Sequence, residues 1–542
     1  DNTNSIFTQK LYASSNTTIT EGSTQGHYTE IRNTDEQIYA DVMVNINKTF
    51  ADNKFSLVAN VGASVNDTKS KELSYRGPIR EVGIPNMFTV FDLDKEKSRA
   101  QKYGWQEQTQ SIFASVEMGY KSMLYLTVTG RNDWASQLAG SPQRSFFYPS
   151  VGLSWLPTAT FDMPEAFTYL KLRASFSSVG IPFPRFLTTP TYPYDETNQQ
   201  WLPTTFRPIE QLYPERTKTW EVGIDARLWN DLRLAASWYR ADTNNQTFQP
   251  TVSSSGYSSM YVQTGNVRNT GVEASLGYGH RWNSFSWDTN FTFSWNKNEV
   301  TELMDGLTDP LTGEPLKDRL EIKGLGKAKY IIKKGGTLGD LYTTSNLKYD
   351  ENGYVQVDRN GNLITTDVGE DIYLGSVFPD YNLAWRNDFD WKGVHLGLLF
   401  TARIVGICYS ATQANMDLFG VSEVSAAARD AGGILINGRE MIDPQRWYAA
   451  ISSQSGLPQY YTYSATNVRL QELSLGYTLP GKWFRDVCKI NIAFVGRNLW
   501  MIYNKAPFDP EAIATTGNNY QGIDYFMMPS LRNFGFSVKL TF

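Results

Sequence analysis

Asp358, Asn360 and Asn362 place side-chain oxygens at alternate positions of Asp358-Arg359-Asn360-Gly361-Asn362, the spacing with which an acidic loop wraps a calcium ion. Leu363 stands where the sharp turn needs glycine and Gly369 where the bidentate carboxylate belongs. A polar hairpin loop before a strand that opens at Pro379-Asp380-Tyr381 is the better reading, and no cofactor is expected. His27, His280 and His395 are too far apart for helical ligand spacing, and Cys408 and Cys488 cannot build a disulfide framework. Asp388 and Asp390 share one face of a strand, a spacing that hydrates a surface. No Gly-x-Ser-x-Gly elbow, His-Glu-x-x-His or phosphate-cradling glycine loop occurs, so an enzyme is not expected.

Aromatic residues offer a different chemistry, since sugar C–H faces pack on rings while a few oriented polar groups hold the hydroxyls. Trp201, Tyr213, Tyr257, Tyr261, Trp447, Tyr460 and Tyr461 are the aromatics in positions that read as long loops, and they are the expected substrate contacts. Fifty Lys and Arg against 55 Asp and Glu give a net charge of −5, without a basic cluster to attract nucleic acid.

The elements that position those loops show in the hydropathy pattern. At the C-terminus Phe534, Phe536, Val538, Leu540 and Phe542 alternate with Asn533, Gly535, Ser537, Lys539 and Thr541, a strand with one apolar and one polar face. The same period recurs near 38–47, 55–65, 111–119, 123–131, 147–156, 168–178, 219–229, 232–242, 272–282, 285–296, 380–391, 393–404, 466–478 and 488–498. Residues 5–13 add a sixteenth segment. Each is close to the roughly 9–11 residues that a tilted strand needs to cross a bilayer. Mean hydropathy is −0.40 and no apolar run is long enough for a membrane helix, which leaves a transmembrane barrel open.

Connection lengths favour the barrel. Those at 119–123, 229–232, 282–285 and 391–394 are very short, and those near 66–110, 132–146, 179–218, 243–269, 297–379, 405–465 and 499–532 are long. Short and long connections alternate, as in outer-membrane barrels with tight periplasmic turns and long external loops. Trp155, Trp229, Trp282, Trp391, Phe285 and Phe389 collect beside the short turns, where amphipathic rings suit the headgroup level. On this reading Phe542 ends at the periplasmic rim, and Ile38, Ala40, Val42, Val44 and Ile46 meet lipid while Asp41, Asn45 and Asn47 face the lumen.

Several blocks then resemble one family. Asn467-Val468-Arg469-Leu470-Gln471-Glu472-Leu473-Ser474-Leu475-Gly476-Tyr477-Thr478-Leu479-Pro480 is similar to the penultimate-hairpin motif of SusC/RagA-type TonB-dependent outer-membrane transporters. Gly496-Arg497-Asn498-Leu499-Trp500, Phe508-Asp509-Pro510-Glu511, Gly522-Ile523-Asp524 and Met528-Pro529-Ser530 follow in family order. Upstream, Leu126–Ser136 with Phe147–Trp155, Pro214–Asp225 and Asn266–Glu273 match further blocks. The resemblance implies a barrel of about 22 strands with a plug, lidded by a SusD-like surface lipoprotein. It also implies import of oligosaccharides or peptides with energy from the TonB complex, and it makes the terminal Phe542 an assembly signal.

No TonB box or plug is recognisable, so the chain is expected to be the C-terminal portion of a longer transporter, an all-β transmembrane barrel segment of 15–16 strands that cannot close alone. The competing expectations are a passive 16-stranded porin, which would close, and a surface adhesin or structural barrel.

Overall fold

Sixteen strands form one antiparallel sheet in the computed structural model, with neighbours in chain order from first to last. The structure describes residues 1–15, 23–188, 192, 194–195, 200–202, 206–207, 213–249, 259–304, 306–308, 313–315, 318–452, 456–484, 487–515 and 520–541. The strands are β1 (Asn2–Leu11), β2 (His27–Phe50), β3 (Phe55–Pro78), β4 (Arg99–Tyr120), β5 (Leu124–Ala135), β6 (Phe146–Trp155), β7 (Phe167–Ile181) and β8 (Glu215–Leu228). They continue as β9 (Leu232–Phe248), β10 (Val262–Trp282), β11 (Phe285–Glu302), β12 (Tyr381–Trp391), β13 (Val394–Ile404), β14 (Asn467–Thr478), β15 (Lys489–Asn504) and β16 (Asn533–Thr541).

The expected number of strands is found, but many are longer than a bilayer crossing requires. β2 and β3 each run for 24 residues and β4 for 22. The connections expected near 66–110 and 243–269 are therefore partly ladder. Alternation marks only the part of a strand with one apolar environment; beyond it both faces are wet, and the backbone bonds continue without a hydropathy signal.

The short turns use left-handed backbone, as tight hairpins require. Lys392 (φ 48°) with Gly393 (φ 90°), Asn283 (φ 50°) and Trp229-Asn230 (φ 50° and 63°) all lie there. Two connections at the same end, 156–166 and 479–488, are longer and carry single helical turns at Pro157–Thr160 and Gly481–Phe484.

Directly paired residues share a face, so register carries one face across the sheet. Ile46, Ala59, Val116, Val128, Val151, Phe176 and Trp220 form one row. Phe536, Phe494, Leu475, Leu396, Phe389 and Trp287 form another. This apolar face includes Phe534, Val538 and Leu540, while Lys539 pairs with Asn491 on the other. Two side-chain pairs lie on it: Trp287 Nε1 donates to Asn387 Oδ1 at 3.2 Å, and Trp385 Nε1 donates to Thr289 Oγ1 at 3.0 Å. Rings cluster at the short-turn end, with Trp282 and Phe285 5.8 Å apart and Phe50 and Phe55 5.4 Å apart.

Among the described residues the sheet is open. β1 pairs only with β2 and β16 only with β15. Past Gln37, β2 has β3 as its only partner among the described residues, so Ile38–Phe50 is a free edge. The ring closure that a self-contained 16-stranded porin needs, β1 against β16, is not formed.

Candidate substrate-facing surface

The polar face carries charged contacts within strands, between neighbouring strands and across an intervening strand. Arg173 Nη1 lies 2.8 Å from Asp225 Oδ2, Arg233 Nη2 2.6 Å from Asp288 Oδ2 and Arg497 Nε 2.9 Å from Glu472 Oε2. Arg386 Nε is 2.7 Å from Asp388 Oδ2, and His395 Nδ1 is 3.1 Å from Asp390 Oδ1. Asp388 and Asp390 thus do more than hydrate the face: both engage cationic or imidazole partners that period-two spacing alone did not reveal. Gly397 leaves the room for this, since a Cβ there would sit 2.5 Å from Ser474 Oγ and 3.0 Å from Asp388 Oδ1. Such a wall is wet, charged of both signs and held in register.

Above its long-connection end stands a folded loop layer. The 297–379 connection is not irregular: Arg319–Leu325, Ala328–Lys333, Asp340–Leu347 and Thr365–Ser376 form a four-stranded antiparallel sheet. Arg319 and Lys333 converge on Asp371, with Nε–Oδ2 2.8 Å and Nζ–Oδ2 2.6 Å. The Arg319 hydrogen bond, against the opposing effect of burial and helped by Lys333, holds the Asp371 carboxyl down at about 2.

The 405–465 connection supplies α1 (Ala411–Leu418), α2 (Glu423–Asp430) and α3 (Pro444–Ile451). Each begins on a capping side chain. Ser410 accepts from Gln413 N, Ser422 from Ser425 N, and Asp443 from Gln445 N and Arg446 N. Both connections contribute to one apolar core containing Tyr330, Leu341, Leu347, Tyr448, Ile451 and Ile523. Beside it, next to core residue Tyr409, burial and then Asp524 push the Cys408 thiol up to about 12.

The structure separates the loop aromatics by role. Trp201 is 69% exposed and packs edge-on against Tyr194 in a two-residue ladder, centroids 5.0 Å apart. Tyr213 is exposed, and its backbone exchanges two hydrogen bonds with the Gln263 side chain at 2.7 and 2.6 Å. Tyr261 packs against the cluster of Ala135, Leu138, Phe146, Phe183 and Leu187. Tyr257 lies outside the described residues, as does Phe542.

Trp447 and Tyr460 meet edge to face at 5.9 Å on the rim of the loop core. Tyr461 is inside it, 3% exposed, and its hydroxyl donates to Asp417 Oδ2 at 2.9 Å. Burial raises that hydroxyl well above its ordinary value. Sequence proximity thus joined a rim residue and a core residue.

Asp358 turns its carboxylate inward on its own loop. Oδ1 accepts from Asn360 N and Asn362 N, both at 2.8 Å, and Oδ2 from Asn362 Nδ2 at 3.1 Å. The Val357–Leu363 bridge and Gly361 (φ 77°) complete a hairpin, as the polar-loop reading has it. Asp350 repeats the device eight residues earlier, accepting from Asn352 N and Tyr354 N. Among the described residues no three or more His, Cys, Asp or Glu side chains are grouped as metal ligands would be.

A further cluster was not anticipated. Arg469, Asn467, Asp509, Glu511, Asn498 and Ser530 come from four separate motif blocks and converge on one knot. Asn467 Nδ2 donates to Glu511 Oε1 at 3.1 Å, Arg469 pairs with Asp509, and Ser530 also donates to Asp509. It ties the 505–532 connection to the wall.

An apolar outer face, a charged inner face and connections sorted by length to the two ends describe a membrane barrel wall. Residues 1–392 match the family model for the TonB dependent receptor-like β-barrel. The chain belongs to that family. TonB-dependent receptor barrels are outer-membrane transporters and receptors rather than enzymes. TonB-dependent receptor P3 of Formosa agariphila is 27% identical over 466 residues, covering 80% of this chain and 45% of that protein. TonB-dependent receptor SusC of Bacteroides thetaiotaomicron is 22% identical over 472 residues, covering 81% and 44%. The chain thus spans about half the length of the curated relatives it matches. Among solved structures, the RagAB peptide importer in its open-open state superposes with a TM-score of 0.75 at 18% identity, over 100% of this chain and 58% of that one.

Proposed function

We propose that this chain is the C-terminal wall and external loop layer of a SusC-like importer that takes up oligosaccharides or peptides across the outer membrane with energy from TonB. The observation that carries the reading is a folded loop layer, built from two long connections, standing at one end of a charged wall in a family of TonB-dependent receptors. The open edges at β1 and β16 support further strands from outside these residues, because unpaired backbone at membrane depth costs several kcal/mol per group. The long connections lie outside the cell and the end of β16 at the periplasmic rim, where Phe542 serves as the assembly signal. A surface lipoprotein covers the loop layer. Substrate meets the exposed aromatics first, at Trp201, Tyr213 and Tyr460, with half-buried Trp447 beside the last.

The test is uptake of fluorescent oligosaccharides and peptides by cells lacking the gene, complemented with the full-length protein. Import that depends on the lipoprotein and stops when the proton gradient is collapsed is expected. Passive ion conduction through the purified protein in a planar bilayer, or adhesion without uptake, overturns the reading.

A further inference from the structure

On the apolar face of β6–β9 a groove of about 870 Å³ opens between Phe176, Trp220 and Trp238, with Ala174 and Val222 among the residues that line it. Ala174 makes the hollow: its paired neighbours Leu153 and Val222 and the nearby indoles all project further. Trp220 and Phe176 rings meet at 4.5 Å along one side. This surface faces lipid, so its natural filling is an acyl chain.

The charge directly above it is unusual for a lipid-facing wall. The row Val222, Trp238, Val272, Trp295, Tyr381 is the last apolar row on these strands. The next row toward the long connections is Trp220, Arg240, Thr270, Lys297, and the one beyond it Lys218, Asp242, Arg268, Glu299. Four cations and two carboxylates therefore stand at the edge of the apolar band. Asp242 is shared, with Arg240 Nε 2.8 Å from Oδ2 and Arg268 Nε 2.7 Å from Oδ1. Lys297 holds Glu299 at 3.1 Å, while Lys218 is exposed and has no carboxylate partner among the described residues.

Arg240 gives Asp242 two N–H donors and Arg268 gives it one, so each guanidinium keeps others, and the two side chains are 41% and 35% exposed. Planar guanidinium forks match phosphate oxygens, and long cationic side chains at a membrane boundary reach toward headgroups.

We propose that this is a binding site for a phosphorylated lipid of the leaflet on the long-connection side. Its phosphate is held by Lys218, Arg240 and Arg268, and one acyl chain lies in the groove over Ala174. The excess of cations over carboxylates selects an anionic headgroup, and the groove selects a lipid over a free anion. The site lies on the outer wall, so the inference stands whatever the transporter carries through its lumen.

The full-length protein, reconstituted in phosphatidylcholine nanodiscs doped with diphosphoryl lipid A or with its dephosphorylated form, tests this by native mass spectrometry of lipid retained after transfer to detergent. Retention of the diphosphoryl form at least about tenfold above the dephosphorylated one is expected, falling by about tenfold in a Lys218→Gln, Arg268→Gln double variant. Trp238→Ala should lower retention of both forms. Equal retention of the two lipids by the unmodified protein overturns the proposal, and that comparison needs no variant to fold. Undiminished retention by the double variant, or displacement of the lipid by inorganic phosphate, overturns it as well.

Discussion

Arg469 on β14 and Asp509 in the connection after β15 form a two-pronged ion pair, Nη2 2.9 Å from Oδ1 and Nη1 3.2 Å from Oδ2, with the Arg469 side chain 5% exposed. Forty residues of chain separate the two, so the pair fastens an external connection to the wall that carries it. Burial alone would raise the Asp509 carboxyl. The bonds from Arg469, Ser530 and the Glu511 backbone outweigh it and hold the group below its usual value.

Asp509→Asn should therefore loosen the 505–532 connection at neutral pH by roughly 1–3 kcal/mol, since the buried guanidinium loses its two-pronged partner and keeps only Glu511 Oε1 at 3.2 Å. Urea denaturation of the full-length protein and protease cleavage within 505–532 measure it. A variant as resistant as the unmodified protein contradicts the role. Because the folded carboxyl sits below its unfolded value, the stabilisation is present above the ordinary carboxylate range and is lost as pH falls through the lowered value.

Asp371 makes a second acid-sensitive point. With its carboxyl at about 2 in the fold and about 3.9 when unfolded, its pairing with Arg319 and Lys333 stabilises fully above about pH 4 and fades as pH drops toward 2. The contribution is on the order of 2 kcal/mol, with only 11% of the Asp371 side chain exposed to screen it. Proteolysis of the loop layer by an acid-active protease should rise over that window in the unmodified protein, and Asp371→Asn should weaken that pH dependence, leaving the part that Asp509 supplies.

Register on the last strand predicts an asymmetric response to charge. Phe536, 82% exposed on the apolar face, should cost about 2–4 kcal/mol as Phe536→Lys, whereas Ser537→Lys on the opposite face should be tolerated. Heat-modifiable migration and the yield of folded protein in membranes read the difference. Equal yields would place both faces in the same environment.

The tyrosine pair at 460–461 should split. Tyr461→Phe removes a buried donor to Asp417 and should destabilise the loop layer by about 1–3 kcal/mol, seen as faster proteolysis around α1–α3. Tyr460→Ala and Trp201→Ala should leave that resistance nearly unchanged and lower uptake several-fold. Uptake unaffected by both rim substitutions would remove them from the substrate path.

Alternation at Phe534–Leu540 and at Phe285–Trp295 depends only on the two-residue period of a strand between unlike surroundings, so the sheet, its sixteen strands and the sorting of connections were legible in order along the chain. The motif blocks around Arg469 and Asp509 were legible too, as a resemblance, but not what they do. Convergence of Asn467, Arg469, Asp509, Glu511 and Ser530 is a contact between segments far apart in sequence, and no local period records it. For the same reason the loop core, Tyr461's burial and the Asp390–His395 contact came only from the tertiary structure. The charged rows above the Ala174 groove belong with them, since Lys218, Asp242, Arg268 and Glu299 become neighbours only when the registers of four strands are set side by side.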